Sequence, residues 1–330
     1  MRRGERLMKR LLVLSLVLAL AFTVGAAANA APIRSVMVTD VGGLGDQSFN
    51  DAAWRGLKRA EEELGAAIGV VESTMMTDYE PNLANLAESG ADLIWAVGFL
   101  MTDAVDNIAP LYPDIKFGLI DAVVEHPNVA SFTFKDNEAS YLAGVFAALW
   151  SETGKIGFIG GMDSPVIERF EAGFRAGVKA ANPNAEVLIG YAGNFNDPGK
   201  GKELALTQYN QGADIIYHAA GATGLGLIEA ARETGKYAIG VDSDQTVLDP
   251  EHVVASMLKR VDNAVFTGVR DLINNEFVAA HRELGLAEGG VDLAYSRGIE
   301  IPQEIVGQVE EAKRAIVAGE IVVPGTRAEL

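Results

Sequence analysis

Short apolar runs alternate with amphipathic stretches along most of the chain. Most runs are continuously apolar, as strands buried on both faces are, and they predict strands at 35–38, 93–97, 117–120, 156–159, 187–189, 215–217, 238–241 and 253–258. Helical periodicity predicts helices between them, at 49–64, 81–89, 102–109, 137–151, 167–181, 201–211 and 224–234. Regular strand–helix alternation is typical of α/β folds with parallel sheets and right-handed crossovers.

The second half of the chain repeats the plan of the first. Residues 82–98 and 203–221 each contain a helix, the tripeptide Gly-Ala-Asp, an apolar strand and a glycine. Residues 50–65 and 169–183 are likewise similar helices that follow glycine-containing turns. The chain has 330 residues, and domains usually have about 150, so we expect two related α/β lobes.

The first thirty residues have the pattern of a secretory signal peptide. Five basic residues precede an apolar run over 11–24, and Ala28-Asn29-Ala30 fits the small-x-small cleavage motif. A retained membrane anchor is the alternative, but the apolar run is shorter than the roughly 20 residues that a span needs. We therefore expect cleavage near Ala30 and an exported, soluble protein.

The sequence contains no cysteine. This excludes disulfides, thiol catalysis and thiolate metal sites, and it also excludes the lipid-modified cysteine of a bacterial lipoprotein. An exported protein without an anchor needs a compartment that retains it, so the periplasm of a two-membrane bacterium is the predicted location.

The formal net charge of the chain is −18. Removal of the predicted signal, which carries a net +4, leaves the mature chain near −22. Nucleic acid and anionic lipid both require basic patches, so neither is expected as a partner. A neutral small ligand remains compatible with this charge.

Three apolar runs end on an aspartate, at Asp40, Asp121 and Asp242. Ligands of parallel α/β sheets bind beyond the carboxyl ends of the strands, where a carboxylate can accept hydrogen bonds. Capping of the next turn or helix is the alternative role for each aspartate taken alone. A single cleft between two lobes would explain all three together, and we favour that interpretation.

The sequence is poor in catalytic motifs. Its four histidines, His126, His218, His252 and His281, lack the spacing of a metal pair, and neither His-Glu-x-x-His nor Gly-x-Ser-x-Gly occurs. The glycine-rich segments 42–45 and 221–226 match neither the dinucleotide fingerprint nor the P-loop. We therefore predict no enzymatic activity, no metal and no cofactor, with a metal or nucleoside-hydrolase site as the minor alternative.

The segment VTDVGGLGDQSFND, at 38–51, has the glycines of a phosphate loop but not its charge. Asp46 stands where a phosphate would meet the helix N-terminus and would repel it. Ser48 is predicted to cap the following helix. Phe49, at the first helical position, is expected to face the strand ends, where its ring can stack on a planar ligand. The alternative is an ordinary core phenylalanine.

Extended to VTDVGGLGDQSFNDAAWRG, this segment resembles the signature of the basic-membrane-protein family of ABC-transporter solute-binding proteins, the purine nucleoside receptors. Further blocks that resemble the family lie at 96–104, 118–124, 130–144, 157–177, 193–205, 215–226, 240–245 and 256–265. The resemblance implies an α/β type I periplasmic-binding fold, with two Rossmann-like lobes joined by a three-crossover hinge. By this analogy the first lobe is 33–133 plus 250–285, and the second is 134–249 plus 290–330.

The resemblance also implies where the base of a nucleoside would lie. Phe49 would stack on the purine from the first lobe. The opposing aromatic would be Tyr217, with His218 as the second choice. Asn50 and Asp121 would meet the edges of the base, where an asparagine can both donate and accept.

The ribose would lie against a second group of residues. Asp242, Gly221 and Lys259 are the candidates, because a carboxylate accepts strong hydrogen bonds from vicinal hydroxyls. Lys259 beside Asp242 would keep that carboxylate ionised. Asp40 would lie at the floor of the cleft near Phe49.

The resemblance implies a monomeric capture protein that delivers purine nucleosides to an inner-membrane ABC permease and performs no chemistry of its own. Three alternatives remain open from the sequence. The same scaffold could bind a sugar or another small metabolite, or the chain could be a nucleoside-cleaving enzyme. A ligand-sensing regulatory role is the third, although no DNA-binding segment occurs and export excludes a cytoplasmic repressor.

Overall fold

Two six-stranded sheets form the framework of residues 31–330, the part of the chain that the computed structural model describes. The predicted signal peptide lies outside the described residues. The strands are β1 Arg34–Thr39, β2 Ala67–Val71, β3 Leu93–Val97, β4 Lys116–Ile120, β5 Val129–Phe134, β6 Lys155–Gly160, β7 Glu186–Tyr191, β8 Ile215–Ala219, β9 Tyr237–Asp242, β10 Val253–Lys259, β11 His281–Leu284 and β12 Val291–Tyr295. The α-helices are α1 Phe49–Leu64, α2 Tyr79–Glu88, α3 Thr102–Ile108, α4 Asp136–Trp150, α5 Pro165–Ala181, α6 Pro198–Asn210, α7 Gly224–Thr234, α8 Val261–Ile273 and α9 Gln303–Val317.

The two sheets have the same internal order. The first runs β11-β5-β4-β3-β1-β2 and the second β12-β10-β9-β8-β6-β7. Neighbouring strands are parallel, except that β12 pairs antiparallel with β10. We call each sheet with its packed helices a lobe. The predicted α/β class with two parallel-dominated lobes is confirmed.

Burial explains why the central strands are continuously apolar. All five residues of β3 and all five of β8 are buried, because helices cover both faces of each sheet. Trp95 of β3 occupies the centre of the first core. A Cβ on Gly118 or Gly268 would lie 2.3 or 2.5 Å from its indole ring, so these two glycines make the space that the ring fills.

The chain passes between the two sheets three times. The first crossover follows β5 and leads to the second sheet. The second follows β10 and leads back to the first lobe, where α8 packs on α1. The third lies between β11 and β12. Strand β10 lies in the segment 250–285 that was assigned to the first lobe, and here the structure differs. Val253–Leu258 pairs with β9, so β10 belongs to the second sheet and the crossover follows Lys259.

Within residues 31–330, no helix combines the length and apolar character that crossing a bilayer requires.

Candidate functional site

A cavity of about 520 Å³, partly open to solvent, lies between the carboxyl ends of the two sets of strands. Both lobes contribute to its walls. The lining residues are Asp40, Gly42, Asp46, Phe49, Asn50, Gly98, Phe99, Asp121, Val166, Ile167, Phe170, Phe195, Ala219, Ala220, Gly221, Val241, Asp242 and Lys259. The cavity combines apolar walls with a few convergent polar groups, as small-molecule sites do.

The start of α1 is organised by Asp46. Its carboxylate accepts hydrogen bonds from the backbone N–H groups of Ser48, Asn50 and Asp51, at 2.9, 2.7 and 3.1 Å. Ser48, which was predicted to cap the helix, makes no capping bond with its side chain. Asp46 performs that role, because a carboxylate satisfies several free N–H groups at a helix N-terminus. Burial raises the pKa of Asp46.

Asp40 and Asn50 form one polar end of the cavity. Asp40 Oδ1 accepts from the Gly42 N–H and from Asn50 Nδ2, both at 2.8 Å. The second hydrogen of Asn50 Nδ2 is directed to Asp46 Oδ2, at 3.2 Å. Both partners are carboxylates, so this nitrogen must donate, and Asn50 Oδ1 is a buried acceptor with no hydrogen-bond donor among the described residues. Burial raises the pKa of Asp40 to about 6.

Lys259 forms a buried ion cluster at the other polar end. Its Nζ lies 2.7 Å from Asp121 Oδ2 and 3.1 Å from Asp136 Oδ1, and Arg169 reaches the other oxygen of Asp136 at 3.3 Å. Burial alone would lower the pKa of Lys259, but the carboxylates of Asp121, Asp136 and Asp242 outweigh burial and raise it. The ammonium is therefore retained, and it directly pairs with Asp121 and Asp136 rather than with Asp242, the partner predicted from the sequence.

Asp121 and Asp242 both have left-handed backbone conformations, with φ of 70° and 61°. Such φ values are uncommon for residues other than glycine and cluster at functional sites. Each residue lies where a strand ends over the cavity, and Asp121 Oδ1 is buried without a donor among residues 31–330. Burial raises the pKa of Asp242 to about 7, while Lys259 and the Ser48 hydroxyl oppose the rise.

Aromatic side chains reach the cavity from both lobes. Phe49 and Phe99 come from the first lobe, and Phe170 and Phe195 from the second. The rings of Phe99 and Phe195 meet edge to face across the cleft, with centroids 6.3 Å apart. Lys259 Nζ lies 5.4 Å from the centre of the Phe49 ring and 5.2 Å from that of Phe170, within cation–π range. Phe49 is half-buried, so part of its ring remains accessible.

Tyr217 and His218 do not line the cavity, which corrects their assignment as the second aromatic wall. Tyr217 points into the core of the second lobe. There its ring packs on Phe158 and Phe174, and its hydroxyl lies 3.1 Å from Ser140 Oγ. His218 points to the opposite face of β8, as strand alternation requires. It pairs with Gln245 at 2.8 Å, and burial lowers its pKa to about 4.

The other predicted site residues all lie at the cavity: Asp40, Phe49, Asn50, Asp121, Gly221, Asp242 and Lys259. Sequence reasoning missed Phe99, Phe170 and Phe195 as aromatic walls. Phe195 lies in the loop after β7, four residues beyond Tyr191, where an aromatic side chain among glycine and asparagine is otherwise unexplained. The unusual composition of this loop could have indicated Phe195, because ligands bind beyond the carboxyl ends of parallel strands and this loop follows such an end.

The cavity offers many acceptors and one cation. Asp40, Asp121, Asp242 and Asn50 present oxygen acceptors, whereas Lys259 supplies the ammonium. Carboxylates outnumber the cation, so a phosphorylated or otherwise anionic ligand would be repelled. A neutral ligand with several hydroxyl or N–H donors and a planar ring is the best chemical match.

Comparison with known proteins gives concordant results. The model of the family described as "ABC transporter substrate-binding protein PnrA-like" matches residues 33–327. A CD4+ T-cell-stimulating antigen of Listeria monocytogenes is 39% identical over 311 residues, covering 87% of this chain and 87% of that protein. The ABC transporter nucleoside-binding protein BmpA of Lactococcus lactis is 36% identical over 315 residues, covering 88% and 89%.

A solved structure extends this similarity to the fold. The solute-binding protein of an ABC transporter system from Aeropyrum pernix K1 superposes with a TM-score of 0.83 at 34% identity, covering 90% of this chain and 95% of that one. The fold is therefore that of the type I periplasmic binding proteins of ABC systems.

Proposed function

The chain belongs to the PnrA-like family of ABC transporter substrate-binding proteins, and from this membership we propose that it captures purine nucleosides and delivers them to an inner-membrane permease. Members of this family are solute-binding proteins rather than enzymes. A small ligand and a permease partner follow from the family, whereas the nucleoside is our proposal.

The observation that supports a nucleoside is the pairing of aromatic walls with acceptor-rich ends in one cavity. In the proposed arrangement the purine lies between Phe49 and Phe195, which come from opposite lobes and both line the cavity. Stacking of a base on an aromatic side chain contributes about 1–3 kcal/mol and suits any purine. Phe195 thus takes the role first assigned to Tyr217.

The polar ends would hold the rest of the ligand. Asn50 Oδ1 and the Asp40 carboxylate would accept from N–H groups of the base. Asp121 and Asp242 would accept from the ribose hydroxyls, near Gly221, whose φ of 55° permits close backbone approach. Asp121, first assigned to an edge of the base, is placed with the ribose because its carboxylate lies 2.7 Å from Lys259 Nζ, at the polar end away from Asn50. Lys259, which pairs with Asp121, would donate to a ligand oxygen.

Transport would follow from closure of the lobes around the ligand, because residues of both lobes bind it. Substrate-binding proteins of ABC importers are exported. We propose that this one is released after cleavage near Ala30 and acts as a free monomer in the periplasm. The lack of cysteine is consistent with an unlipidated protein.

Calorimetric titration tests the ligand directly. The purified mature protein is titrated with adenosine, guanosine, inosine, cytidine, free purine bases and ribose. Tight 1:1 binding of purine nucleosides, with ribose and free bases much weaker, is expected because both ends of the cavity must be filled. Tight binding of ribose without any nucleoside would indicate a sugar-binding protein instead. Chromatography of the same samples after incubation checks for released base, which would indicate a nucleoside-cleaving enzyme.

A further inference from the structure

A polar seam joins the beginning of α1 in the first lobe to the end of β9 in the second. Its members are the segment 47–55 on one side and 242–245 on the other. The bonds are Ser48 Oγ to Asp242 Oδ2 at 2.5 Å, Ser243 Oγ to the Ser48 carbonyl at 2.9 Å, Gln245 Nε2 to the Gln47 carbonyl at 3.2 Å and Arg55 Nη2 to Ser243 Oγ at 2.6 Å. The seam therefore includes Asp242, one of the cavity's carboxylates.

Ser48 is available for this contact because Asp46 caps the helix in its place. Its side chain is completely buried, yet it is not among the residues that line the cavity. A buried serine hydroxyl needs an acceptor, and here it finds one in the other lobe. The contact can form only when the two lobes are together, since its donor and acceptor belong to different lobes.

We propose that Ser48 is a positioning residue: its hydroxyl holds one oxygen of Asp242 across the cleft, so that the other oxygen is presented to a ligand donor only in the closed protein. Asp242 is thereby both a ligand group and part of the closure contact. This inference rests on the proposed function for its choice of ligand probe, but not for the seam itself.

The charges around Asp242 give the seam a distinctive pH dependence. Lys259 of β10 acts on Asp242 as a cation, while Asp46 before α1 and Asp121 after β4 act on it as carboxylates, and the Tyr217 phenol of β8 is close enough to feel its charge. Burial raises the pKa of Asp242 to about 7, and the Ser48 hydroxyl opposes that rise. Loss of this hydroxyl removes a bond that favours the ionised form, so the pKa rises further.

The test compares Ser48→Ala with Ser243→Ala, which removes two neighbouring seam bonds, to the Ser48 carbonyl and from Arg55, neither of which reaches Asp242. Guanosine affinity is measured by calorimetry from pH 5.5 to 9 for wild type and both variants. For Ser48→Ala we expect affinity to fall roughly 10-fold at pH 7.5, and its pH midpoint to move upward. Ser243→Ala should weaken binding with an unchanged midpoint. An unchanged midpoint in Ser48→Ala, with an affinity loss equal to that of Ser243→Ala, would overturn the proposal.

Denaturant unfolding of the ligand-free proteins provides a second readout that needs no nucleoside. A hydrogen bond to an ionised carboxylate is stronger than one to its protonated form. The loss of stability in Ser48→Ala should therefore grow between pH 5 and pH 9, whereas that in Ser243→Ala should stay constant. A stability loss in Ser243→Ala shows that the lobes are together and the seam is formed without ligand. Given that loss, an equal and pH-independent loss in Ser48→Ala would refute the role of Ser48. If wild type binds no nucleoside, the proposed function fails, and this experiment still decides the role of the seam.

Discussion

Asp121 and Asp242 occupy equivalent positions in the two lobes. Strands β4 and β9 hold the same place in the order of their sheets, and each leads into an aspartate with a left-handed backbone. Both carboxylates line the same cavity. The internal repeat of the sequence thus converges on a pair of acceptors, one from each lobe.

The left-handed backbone at these positions should favour asparagine over alanine as a replacement. Asparagine tolerates positive φ, whereas for alanine this backbone conformation costs about 1 kcal/mol. We therefore expect Asp121→Asn to be more stable than Asp121→Ala by about that amount, with the same order at Asp242. Urea unfolding of the four variants measures the difference. Equal stability of the Asn and Ala variants would mean that the backbone relaxes at no cost.

Variants should show that Phe49 and Phe195 contribute to ligand affinity, whereas Tyr217 contributes to stability. Phe49→Ala and Phe195→Ala should each weaken nucleoside binding by about 1–3 kcal/mol through lost stacking. Tyr217→Phe should leave affinity unchanged and reduce stability by about 0.5–1.5 kcal/mol, because it loses only the bond to Ser140. Calorimetry and unfolding are measured on the same samples. Unchanged nucleoside affinity in both Phe49→Ala and Phe195→Ala would contradict the two aromatic walls.

Lys259 should be indispensable to the fold around the cavity. Lys259→Met leaves Asp121 and Asp136 without their buried cation, and breaking such a cluster costs about 3–5 kcal/mol. Lys202→Met is the control, because Lys202 is partly exposed and pairs with two exposed glutamates, so its loss should cost at most about 1 kcal/mol. Chemical unfolding compares the two. If Lys259→Met lowers the free energy of unfolding no more than Lys202→Met does, the buried ion cluster does not stabilise the protein as proposed.

Acidification should affect ligand affinity and stability in opposite directions. Asp242 and Asp40, with pKa values of about 7 and 6, gain protons between pH 8 and 5 and can then no longer accept as carboxylates. Affinity should therefore fall over this range, as measured by calorimetry.

The contribution of these two groups to the free energy of unfolding changes with pH in the opposite direction. The pKa values of both groups lie above about 3.9, the value for an unfolded aspartate, so the folded protein binds more protons. Their stabilising contribution is fully present below about pH 4 and is lost as pH rises through 6 and 7. The difference in unfolding free energy between wild type and Asp242→Asn should change over this window, and a constant difference would argue against a raised pKa.

Gly161 should be required for the position of Phe195. A Cβ at Gly161 would lie 2.2 Å from Cε1 of the Phe195 ring, so Gly161→Ala must displace that ring. Nucleoside affinity should fall at least as far as in Phe195→Ala, by about 1–3 kcal/mol. Gly307→Ala is the matched control, because Gly307 lies in α9 with open space around it and should gain about 0.5–1 kcal/mol of stability. Unchanged affinity in Gly161→Ala would place the ligand away from Phe195.

Periodicity predicted every central strand except β5, but only one of the four edge strands, β7. Each of the eight predicted strands corresponds to a strand of the structure, because buried parallel strands are continuously apolar. Four others, β2, β5, β11 and β12, were not predicted. Strand β11 has the sequence HREL at the edge of the first sheet, where solvent exposure allows charged residues and removes the apolar signal.

The site was predictable where it depends on strand ends and less so where it depends on side-chain direction. Asp40, Asp121 and Asp242 follow from the rule that ligands bind beyond strand ends. The direction of Tyr217 depends on strand parity, and a shift of one residue exchanges the core face for the opposite one. The choice between Ser48 and Asp46 as the cap depends on loop geometry that no local pattern encodes.

Asp46 satisfies the free N–H groups at the start of α1, the helix beside the cavity. A glycine-rich turn followed by a helix commonly recruits an external anion to the free N–H groups. Here the chain supplies that anion itself, and three N–H groups are already engaged with its carboxylate. Asp46 is in effect an intramolecular phosphate mimic. A phosphate would find these three N–H groups occupied and a carboxylate in its place, so this helix N-terminus is not free to bind an external anion.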